Sequence, residues 1–363
     1  MSKKLKILFT IPNFETAGSG RVVYDLVKGL DKNRFEVSIS CRHNRGAFFK
    51  EVEALGVPII IRETTVAYRP YYNMIGRLHP IVQFFKKEEF DVIHSWDWSS
   101  DWTEVSAARR AGVKWLYTKK AMSWGNRHWK IRSWMAHFII TINDEMRSFF
   151  PRKKKQALIP LGIDTEYYSP KHYAEKPDDA KFQMVTVANL VPVKGIEVLL
   201  EAVALMKEPN AHLKIVGDHS GDYGELLVAQ CTMLGIEHQV EFVGKVEDVR
   251  PFIAGAHVYI IPTLDAGRKE GMPMALVEAM CMATPVLGSN ISGINYVLKD
   301  FQDLLFEASN VKQLSEKLNT MHGMSTFDRD VLGVELREYC EDNYGMQQFI
   351  SAHEQLYIQL AQE

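Results

Sequence analysis

The sequence predicts an α/β protein built from two doubly wound domains, each with a parallel sheet that helices cover on both faces. The chain has 363 residues, and a single hydrophobic core rarely grows beyond about 250–300 residues. Short apolar runs rich in β-branched residues alternate with helical patterns, as in parallel sheets buried on both faces. A segment rich in Pro, Tyr and charge at 159–182 interrupts the alternation, which then restarts.

The first half of the chain opens with an apolar run at 6–11 that we interpret as a strand and not as a signal peptide. A helix is predicted over 20–30, because Val23, Leu26 and Leu30 recur at helical spacing. The remaining predicted strands of this half lie at 35–40, 57–61, 91–95, 114–118 and 137–142.

The second half repeats the alternation after the linker at 159–182. Its predicted strands lie at 182–190, 211–218, 240–244, 257–263 and 285–289. Its predicted helices lie at 195–206, 223–235, 249–256 and 273–284, with a terminal amphipathic helix at 348–362. The predicted domains are therefore 1–168 and 178–345, followed by a terminal helix, 346–363, that packs back toward the N-terminal domain. Sheets of this kind bind ligands beyond the carboxyl ends of their strands, so we expect the site in the cleft between the domains.

Composition restricts the cellular setting. The four cysteines lie far apart with no CxxC pair, which argues against a disulfide framework or structural zinc and favours a reducing, cytoplasmic compartment. No stretch approaches the roughly 18 apolar residues of a membrane span. The sequence also has no HExxH motif, GxSxG nucleophile elbow or P-loop. No metal site is therefore predicted, and Asp97 and Asp101 do not indicate one.

Charge is divided unevenly along the chain. Residues 1–170 contain 28 Lys and Arg against 17 Asp and Glu, a net charge of +11, and the rest of the chain carries −13. All seven tryptophans lie in the basic half, from Trp96 to Trp134. Basic residues interleaved with Trp suit an anionic membrane surface or an anionic substrate, and a nucleic-acid groove has a similar pattern. A Trp-rich core beneath a solvated basic face fits equally well.

The stretch KEGMPMALVEAM, Lys269 to Met280, places two acids in an apolar run. Pro273 is suited to the first turn of a helix, and a helix start behind a Gly forms an anion site. Carboxylates repel phosphate, so Glu270 and Glu278 are expected to bind hydroxyls, because a carboxylate can accept two hydrogen bonds from a vicinal diol. The alternative is a surface acid followed by a salt-bridged, half-buried one.

Two further loops have a composition suited to anions. Lys194 and Gly195 follow a predicted strand and precede a helix, where a lysine can neutralise a leaving phosphate; an ordinary exposed lysine is the alternative. Gly18, Ser19 and Gly20 match a dinucleotide fingerprint poorly. We interpret them as a flexible loop ahead of a helix that lets the backbone approach a ligand.

Five motifs in order resemble the retaining glycosyltransferase family 4 (group 1), which has the GT-B fold of two Rossmann-like domains. They are EGMPMALVE at 270–278, IPLGIDTEYYSP at 159–170, VANLVPVKGIEVLLEA at 187–202, the pair KIVGD and FVGKVEDV, and EAMCMATPVLGSN. The resemblance covers nearly the whole chain and is strongest from Leu158 to Asn290.

The resemblance implies a role for each matching residue. Glu270 would hold hydroxyls of the donor sugar, Glu278 the ribose diol and Lys194 the diphosphate. The implied phosphate cradle consists of Gly18, Ser19, Gly20, Gly271, Met272, Pro273, Met274 and Ala275. Lys245 and Val246 would lie along the base.

Departures from the family pattern fall on the same site. Asn189 stands where the family usually has an Arg on the diphosphate, so either the activity is low or another cation, Arg268 or Lys269, supplies that charge. Lys120 stands where the family tends to have a His against the donor sugar. These changes put the donor identity in doubt and leave the fold unaffected.

The expected function is retaining, metal-independent transfer of a hexose from a UDP- or GDP-linked donor to a glycan or lipid-linked acceptor, in cell-envelope polysaccharide assembly. No prosthetic group and no nucleic-acid partner are expected. The basic half is expected to receive the acceptor and to make peripheral contact with an anionic membrane at its inner face. The alternatives are a nucleotide-sugar epimerase on the same scaffold and a weakly active or non-catalytic sugar-nucleotide-binding protein.

Overall fold

The computed structural model describes residues 3–15, 17–122, 124–173, 180–267 and 271–363. The chain divides into two compact units. Unit 1 comprises Met1–Gly162 and Met346–Glu363, and unit 2 comprises Ile163–Gly345. Among the described residues, unit 1 contains a seven-stranded sheet and unit 2 a six-stranded sheet. All the strand pairs are parallel, which confirms the predicted fold class.

Unit 1 has the strand order β3-β2-β1-β4-β5-β6-β7. Its elements are β1 (Leu5–Thr10), α1 (Ala17–Gly29), β2 (Phe35–Cys41), α2 (Ala47–Glu53), β3 (Ile59–Ile61), α3 (Met74–Glu88), β4 (Val92–Ser95), α4 (Thr103–Ala111), β5 (Lys114–Lys119), α5 (Arg127–Met135), β6 (Phe138–Thr141) and β7 (Gln156–Leu158). The order reverses between β1 and β4, so the loops after these two strands flank the crevice where doubly wound sheets bind ligands.

Unit 2 has the order β10-β9-β8-β11-β12-β13 and reverses between β8 and β11. Its elements are β8 (Phe182–Val187), α6 (Ile196–Met206), β9 (Ala211–Val216), α7 (Asp222–Leu234), β10 (Val240–Gly244), α8 (Arg250–Ala254), β11 (Val258–Ile261), α9 (Met274–Cys281), β12 (Val286–Ser289), α10 (Ser292–Val297), β13 (Leu305–Phe306), α11 (Val311–Gly323) and α12 (Thr326–Tyr344). The loops after β8 and β11 contain Lys194 and the segment that leads to α9.

The last helix, α13 (Met346–Gln362), belongs to unit 1. Its Tyr357 is fully buried, and the Tyr357 hydroxyl lies 2.7 Å from Nδ1 of His94 in β4. A side chain on Gly29 of α1 would overlap Ile350, because a Cβ there would lie 2.0 Å from Ile350 Cδ1. This close packing makes α13 part of the core of unit 1. No helix among the described residues has the length and apolar character needed to span a membrane.

Two buried histidines make the stability of unit 1 sensitive to acid. The His353 ring stacks on the His94 ring at 5.5 Å, and both are fully buried. Burial lowers the pKa of His353 to about 4, although a hydrogen bond to the Phe349 carbonyl opposes the shift. Burial, aided by the charges of His353 and Lys120, also lowers the pKa of His94. Unit 1 therefore holds both imidazoles neutral.

We expect the free energy of unfolding to fall as the pH drops from 6.5 to 4. In this range the two histidines bind protons in the unfolded chain but not in the folded protein, because their pKa values are lower in the folded state. His353 alone should account for about 3 kcal/mol of this loss in the free energy of unfolding. Urea unfolding of the wild type and of His353→Leu between pH 7.5 and 4.5 measures this effect. Leucine should flatten the pH dependence; equal slopes would contradict the assignment.

Candidate active site

The loop after β8 carries Lys194 toward the crevice of unit 2. A single 3-10 turn, Pro192–Lys194, precedes Gly195, whose positive φ of 65° leads into α6. Lys194 is half-buried. The amide of Leu264 donates to the Val193 carbonyl at 2.9 Å, which joins this loop to the loop after β11. The sequence folds this way because a glycine reaches the left-handed conformation without strain.

Gly195 offers a matched test of this junction. A Cβ there would lie 2.2 Å from the Pro262 carbonyl oxygen, whereas a Cβ on Gly235, with a φ of 69°, would meet nothing within 4 Å. Gly235→Ala should lower the free energy of unfolding by about 1 kcal/mol, because alanine is strained in the left-handed conformation. Gly195→Ala should cost about 2–4 kcal/mol, because overlap with backbone adds to that strain. Urea midpoints measure both, and equal losses would mean that the two loops do not pack together.

The start of α9 presents backbone amides. Pro273, predicted to lie in the first turn, is instead the N-cap residue of α9, one residue before the helix, and it has no N–H to donate. The first backbone bond near the start runs from the Leu276 amide to the Pro273 carbonyl, 3.1 Å. The amides of Met274 and Ala275 thus lie at the positive end of the helix, where no preceding helical carbonyl is available to them. This helix start provides amides that could bind a phosphate.

Of the two acids at α9, the described residues include Glu278 only. Glu278 is half-buried, about one turn beyond the helix start. Gly271 and Met272 are buried and lead into the helix. Arg268, Lys269 and Glu270 lie outside the described residues. Their roles therefore stay predictions.

The loops after β9 and β10 lie at the same edge of the unit 2 sheet as the Lys194 loop. The Ala188 amide donates to the Val216 carbonyl, and the Gly217 amide donates to the Gly244 carbonyl, both at 3.0 Å. These bonds join the loops after β8, β9 and β10. They bring the segments of Asn189 and Lys245 to one edge; both residues are exposed, and Val246 is half-buried.

Two polar groups at this edge escaped the sequence analysis. Nδ1 of His219 and Oγ1 of Thr263 are buried without a hydrogen-bond partner in the structure. The His219 ring packs 5.4 Å from Phe242. His219 lies three residues after β9 and Thr263 two residues after β11, and a place just beyond a strand end was the only available signal. Unsatisfied buried groups of this kind are uncommon and mark them as further candidate ligand contacts.

In unit 1, helix α1 begins at Ala17, so Gly18, Ser19 and Gly20 form its first turn. The prediction of a flexible loop ahead of the helix was wrong at these residues. Gly20 is buried, and a Cβ there would lie 3.1 Å from the Phe14 ring, which shows why a small residue packs there. First-turn amides still point outward, as anion binding requires.

Lys120 follows β5 and reaches this helix start. Its Nζ donates to Oγ of Ser19 at 3.0 Å and to the Trp96 carbonyl at 2.6 Å. The structure thus brings together two predicted site residues that lie 101 positions apart. An ammonium group beside a helix N-terminus makes this end of unit 1 electropositive.

The tryptophans of unit 1 divide between core and surface. Trp96 and Trp115 are fully buried, and Trp129 is 7% exposed, so a Trp-rich core accounts for much of the cluster. Trp98 is 41% exposed and Trp134 80% exposed. Only part of the aromatic content therefore remains available to a substrate or a surface.

Family models match both units. The model for Glycosyltransferase Family 4 matches residues 16–167, and the model for Glycosyl transferases group 1 matches residues 170–331. The chain belongs to the group 1 glycosyltransferases of family 4. This confirms the family predicted from the sequence motifs, and the enzyme is a glycosyltransferase.

Individual relatives agree with this assignment. An uncharacterized glycosyltransferase of Haemophilus influenzae is 24% identical over 87% of this chain and 90% of its own length. An Escherichia coli UDP-Gal:alpha-D-GlcNAc-diphosphoundecaprenol alpha-1,3-galactosyltransferase is 23% identical over 81% of this chain and 82% of its own length.

Solved structures show the same fold. A glycosyltransferase from Rickettsia africae superposes with a TM-score of 0.86 at 16% identity, over 98% of both chains. HepE from Anabaena, in complex with UDP and glucose, superposes with a TM-score of 0.78 at 18% identity, over 97% of this chain and 99% of HepE. The glycosyltransferase described here thus has the GT-B fold. Within its described ranges, no three His, Cys, Asp or Glu side chains cluster as metal ligands would.

Proposed function

We propose that this glycosyltransferase transfers a hexose, with retention and without a metal, from a UDP- or GDP-sugar to a glycan or lipid-linked acceptor. The donor binds unit 2 and the acceptor binds unit 1. The reaction serves cell-envelope polysaccharide assembly. The names of relatives support this setting, since they include a capsular polysaccharide biosynthesis glycosyltransferase of Staphylococcus aureus and the galactosyltransferase of Escherichia coli that uses UDP-Gal.

One observation carries the proposal for the donor. A backbone hydrogen bond from Leu264 to Val193 joins the Lys194 loop to the loop after β11, where the strand order of unit 2 reverses. The chain then continues toward the amides of Met274 and Ala275. A lysine and a helix start supported by adjacent strand-end loops suit a diphosphate.

In the proposed mechanism, the donor diphosphate binds the α9 helix start and Lys194. Glu270 accepts hydrogen bonds from the sugar hydroxyls, and Glu278 accepts them from the ribose diol. Lys245 and Val246 lie along the base.

The bond from the sugar C1 to the diphosphate oxygen breaks, and its electron pair leaves with the diphosphate. Lys194 and the helix dipole stabilise that charge. The acceptor hydroxyl attacks the oxocarbenium-like C1 from the same face, and its proton passes to the departing diphosphate oxygen. No dedicated nucleophile takes part, and Arg268 or Lys269 supplies the charge absent at Asn189.

Membrane contact is a separate proposal. The net charge of +11 over residues 1–170 supports attraction of unit 1 to anionic lipid. Flotation with vesicles of phosphatidylcholine, with and without phosphatidylglycerol, tests it. Binding should need the anionic lipid and weaken with salt; flotation that is absent in both would contradict it.

A panel of UDP- and GDP-sugars tests the donor chemistry. Incubation of the wild type with each donor and candidate acceptors should give a glycosylated product, with slower donor hydrolysis when the acceptor is omitted. Glu270→Ala should lose most of this transfer. Interconversion of free nucleotide-sugars without transfer would favour the epimerase alternative, and unchanged transfer by Glu270→Ala would contradict the assigned role.

A further inference from the structure

The loop between β4 and α4 in unit 1 holds an exposed indole at the ligand-binding edge. Trp98 lies three residues beyond the end of β4, one of the two strands at which the order of the sheet reverses. It is 41% exposed, whereas its neighbour Trp96 is fully buried. The indole therefore lies at the end of the sheet where doubly wound domains bind ligands.

A buried guanidinium holds this loop in one shape. Arg132 of α5 is 1% exposed. Its Nη1 donates to the carbonyls of Ser99 and Asp101 at 2.8 and 3.0 Å. Its Nη2 donates to the Asp97 carbonyl and to Ser95 Oγ, both at 3.2 Å. Three of these four hydrogen bonds go to backbone carbonyls and fix the backbone on both sides of Trp98.

Two acidic groups, Asp101 and Glu104, feel the charge of the same guanidinium. Burial raises the pKa of Asp101, while bonds from Thr103 and the charge of Arg132 oppose the shift. Burial likewise raises the pKa of Glu104, whose Oε2 accepts a hydrogen bond from Trp115 Nε1 at 3.0 Å. Charges are costly to bury, and apolar side chains often stabilise a fold better. Such a cluster is better explained by the need to pre-organise the loop.

The indole lies beside the electropositive start of α1. Nζ of Lys120 is 5.6 Å from the centroid of the Trp98 ring, and the same Nζ donates to Ser19 Oγ. A ligand against Trp98 would thus lie close to an ammonium group and the first turn of a helix. That combination suits a sugar ring with hydroxyl or phosphate substituents.

We propose that Trp98 is the platform on which a hexose ring of the acceptor stacks, and that Arg132 positions it. The inference rests on the proposed function, because it assigns the acceptor to unit 1. The C–H face of a hexose packs against the flat face of an indole. A rigid indole supplies contact area at low entropic cost. Lys120 binds a substituent of the same sugar.

Acceptor kinetics on the full chain test the platform. The acceptors are p-nitrophenyl hexosides and a short-chain lipid diphosphate-linked N-acetylglucosamine, which separate a soluble glycan source from a lipid-linked one. Trp98→Ala should raise the acceptor KM about tenfold, with little change in the donor KM or in donor hydrolysis without acceptor. Trp98→Phe should recover most of the loss.

Trp134→Ala is the matched control, since that indole is 80% exposed and lies in the last turn of α5 in the same unit. Its kinetics should match those of the wild type. An unchanged acceptor KM in Trp98→Ala would overturn the platform while leaving the proposed function intact. A wild type that transfers to none of these acceptors would contradict the proposed function, and the platform with it.

Arg132→Lys tests the positioning role. It should raise the acceptor KM in the wild-type background. It should add no further increase to Trp98→Ala, because both substitutions remove the same contact, that of the acceptor with the indole. Independent, multiplicative effects of the two substitutions would mean that Arg132 does not act through Trp98. A raised donor KM would likewise overturn the role.

Discussion

Replacing Lys194 with methionine is expected to lower kcat for sugar transfer about 100- to 1,000-fold, equivalent to about 2.7–4 kcal/mol of barrier. The ammonium group is proposed to face the diphosphate as its charge develops. Methionine keeps much of the length and apolar stem and removes only the charge. Steady-state transfer with the preferred donor at saturation measures the effect.

Lys181→Met provides the control for this prediction. Lys181 is exposed and directly precedes β8, so it lies at the opposite end of the strand that leads to Lys194. Its replacement should leave kcat unchanged. Equal kcat values for the two variants would exclude a role for Lys194 in the departure of the diphosphate.

Arg132→Met is expected to lower the free energy of unfolding by about 3–5 kcal/mol. The guanidinium donates to Ser95, Asp97, Ser99 and Asp101 and is almost fully buried. Its loss leaves these acceptors without their hydrogen-bond donor and removes a positive charge that favours the ionised forms of Asp101 and Glu104. The buried Arg132 also faces the rings of Trp115 and Trp129, at 5.2 and 5.6 Å from their centroids.

Urea unfolding compares this variant with Arg127→Met. Arg127 is the exposed first residue of the same helix, and a surface change of this kind usually stays within about 0.5 kcal/mol. A loss below 1 kcal/mol in Arg132→Met would mean that the loop after β4 does not depend on the guanidinium. The acceptor platform would then lose its support.

The fold class could be predicted from the sequence because its strands are short, apolar and regularly interrupted. Helix α6, predicted at 195–206, runs from Ile196 to Met206, and β10 coincides with its prediction at 240–244. Strand β7 and helix α10 were among the elements not predicted, and a three-residue strand and a six-residue helix carry little periodicity. The longer helices α3 and α12 were not predicted either.

The start of α1 shows a different limit. Glycines at 18 and 20 suggested a loop, because glycine has low helix propensity. The structure has helix from Ala17, and the close approach of Gly20 to the Phe14 ring shows packing overriding propensity. Local preference alone does not locate such a boundary.

The candidate site was partly accessible from the sequence. Lys194 and the α9 start could be identified because each follows a strand and precedes a helix. The bond between Lys120 and Ser19 joins distant segments and has no local signature. The hydrogen bonds of Arg132 to the loop after β4 are equally non-local. The sequence therefore could not show that Trp98 is exposed while Trp96 is buried.

The most direct test of the donor site in unit 2 is thermal unfolding of the full chain with UDP or GDP. A nucleotide at 100 times its Kd stabilises the bound protein by about 2.7 kcal/mol. We expect one of the two nucleotides to raise the Tm by several degrees, and Lys194→Met and Glu278→Ala to lose most of that shift while Lys181→Met keeps it. No shift with either nucleotide, or an equal shift in all variants, would contradict a nucleoside diphosphate site at these residues.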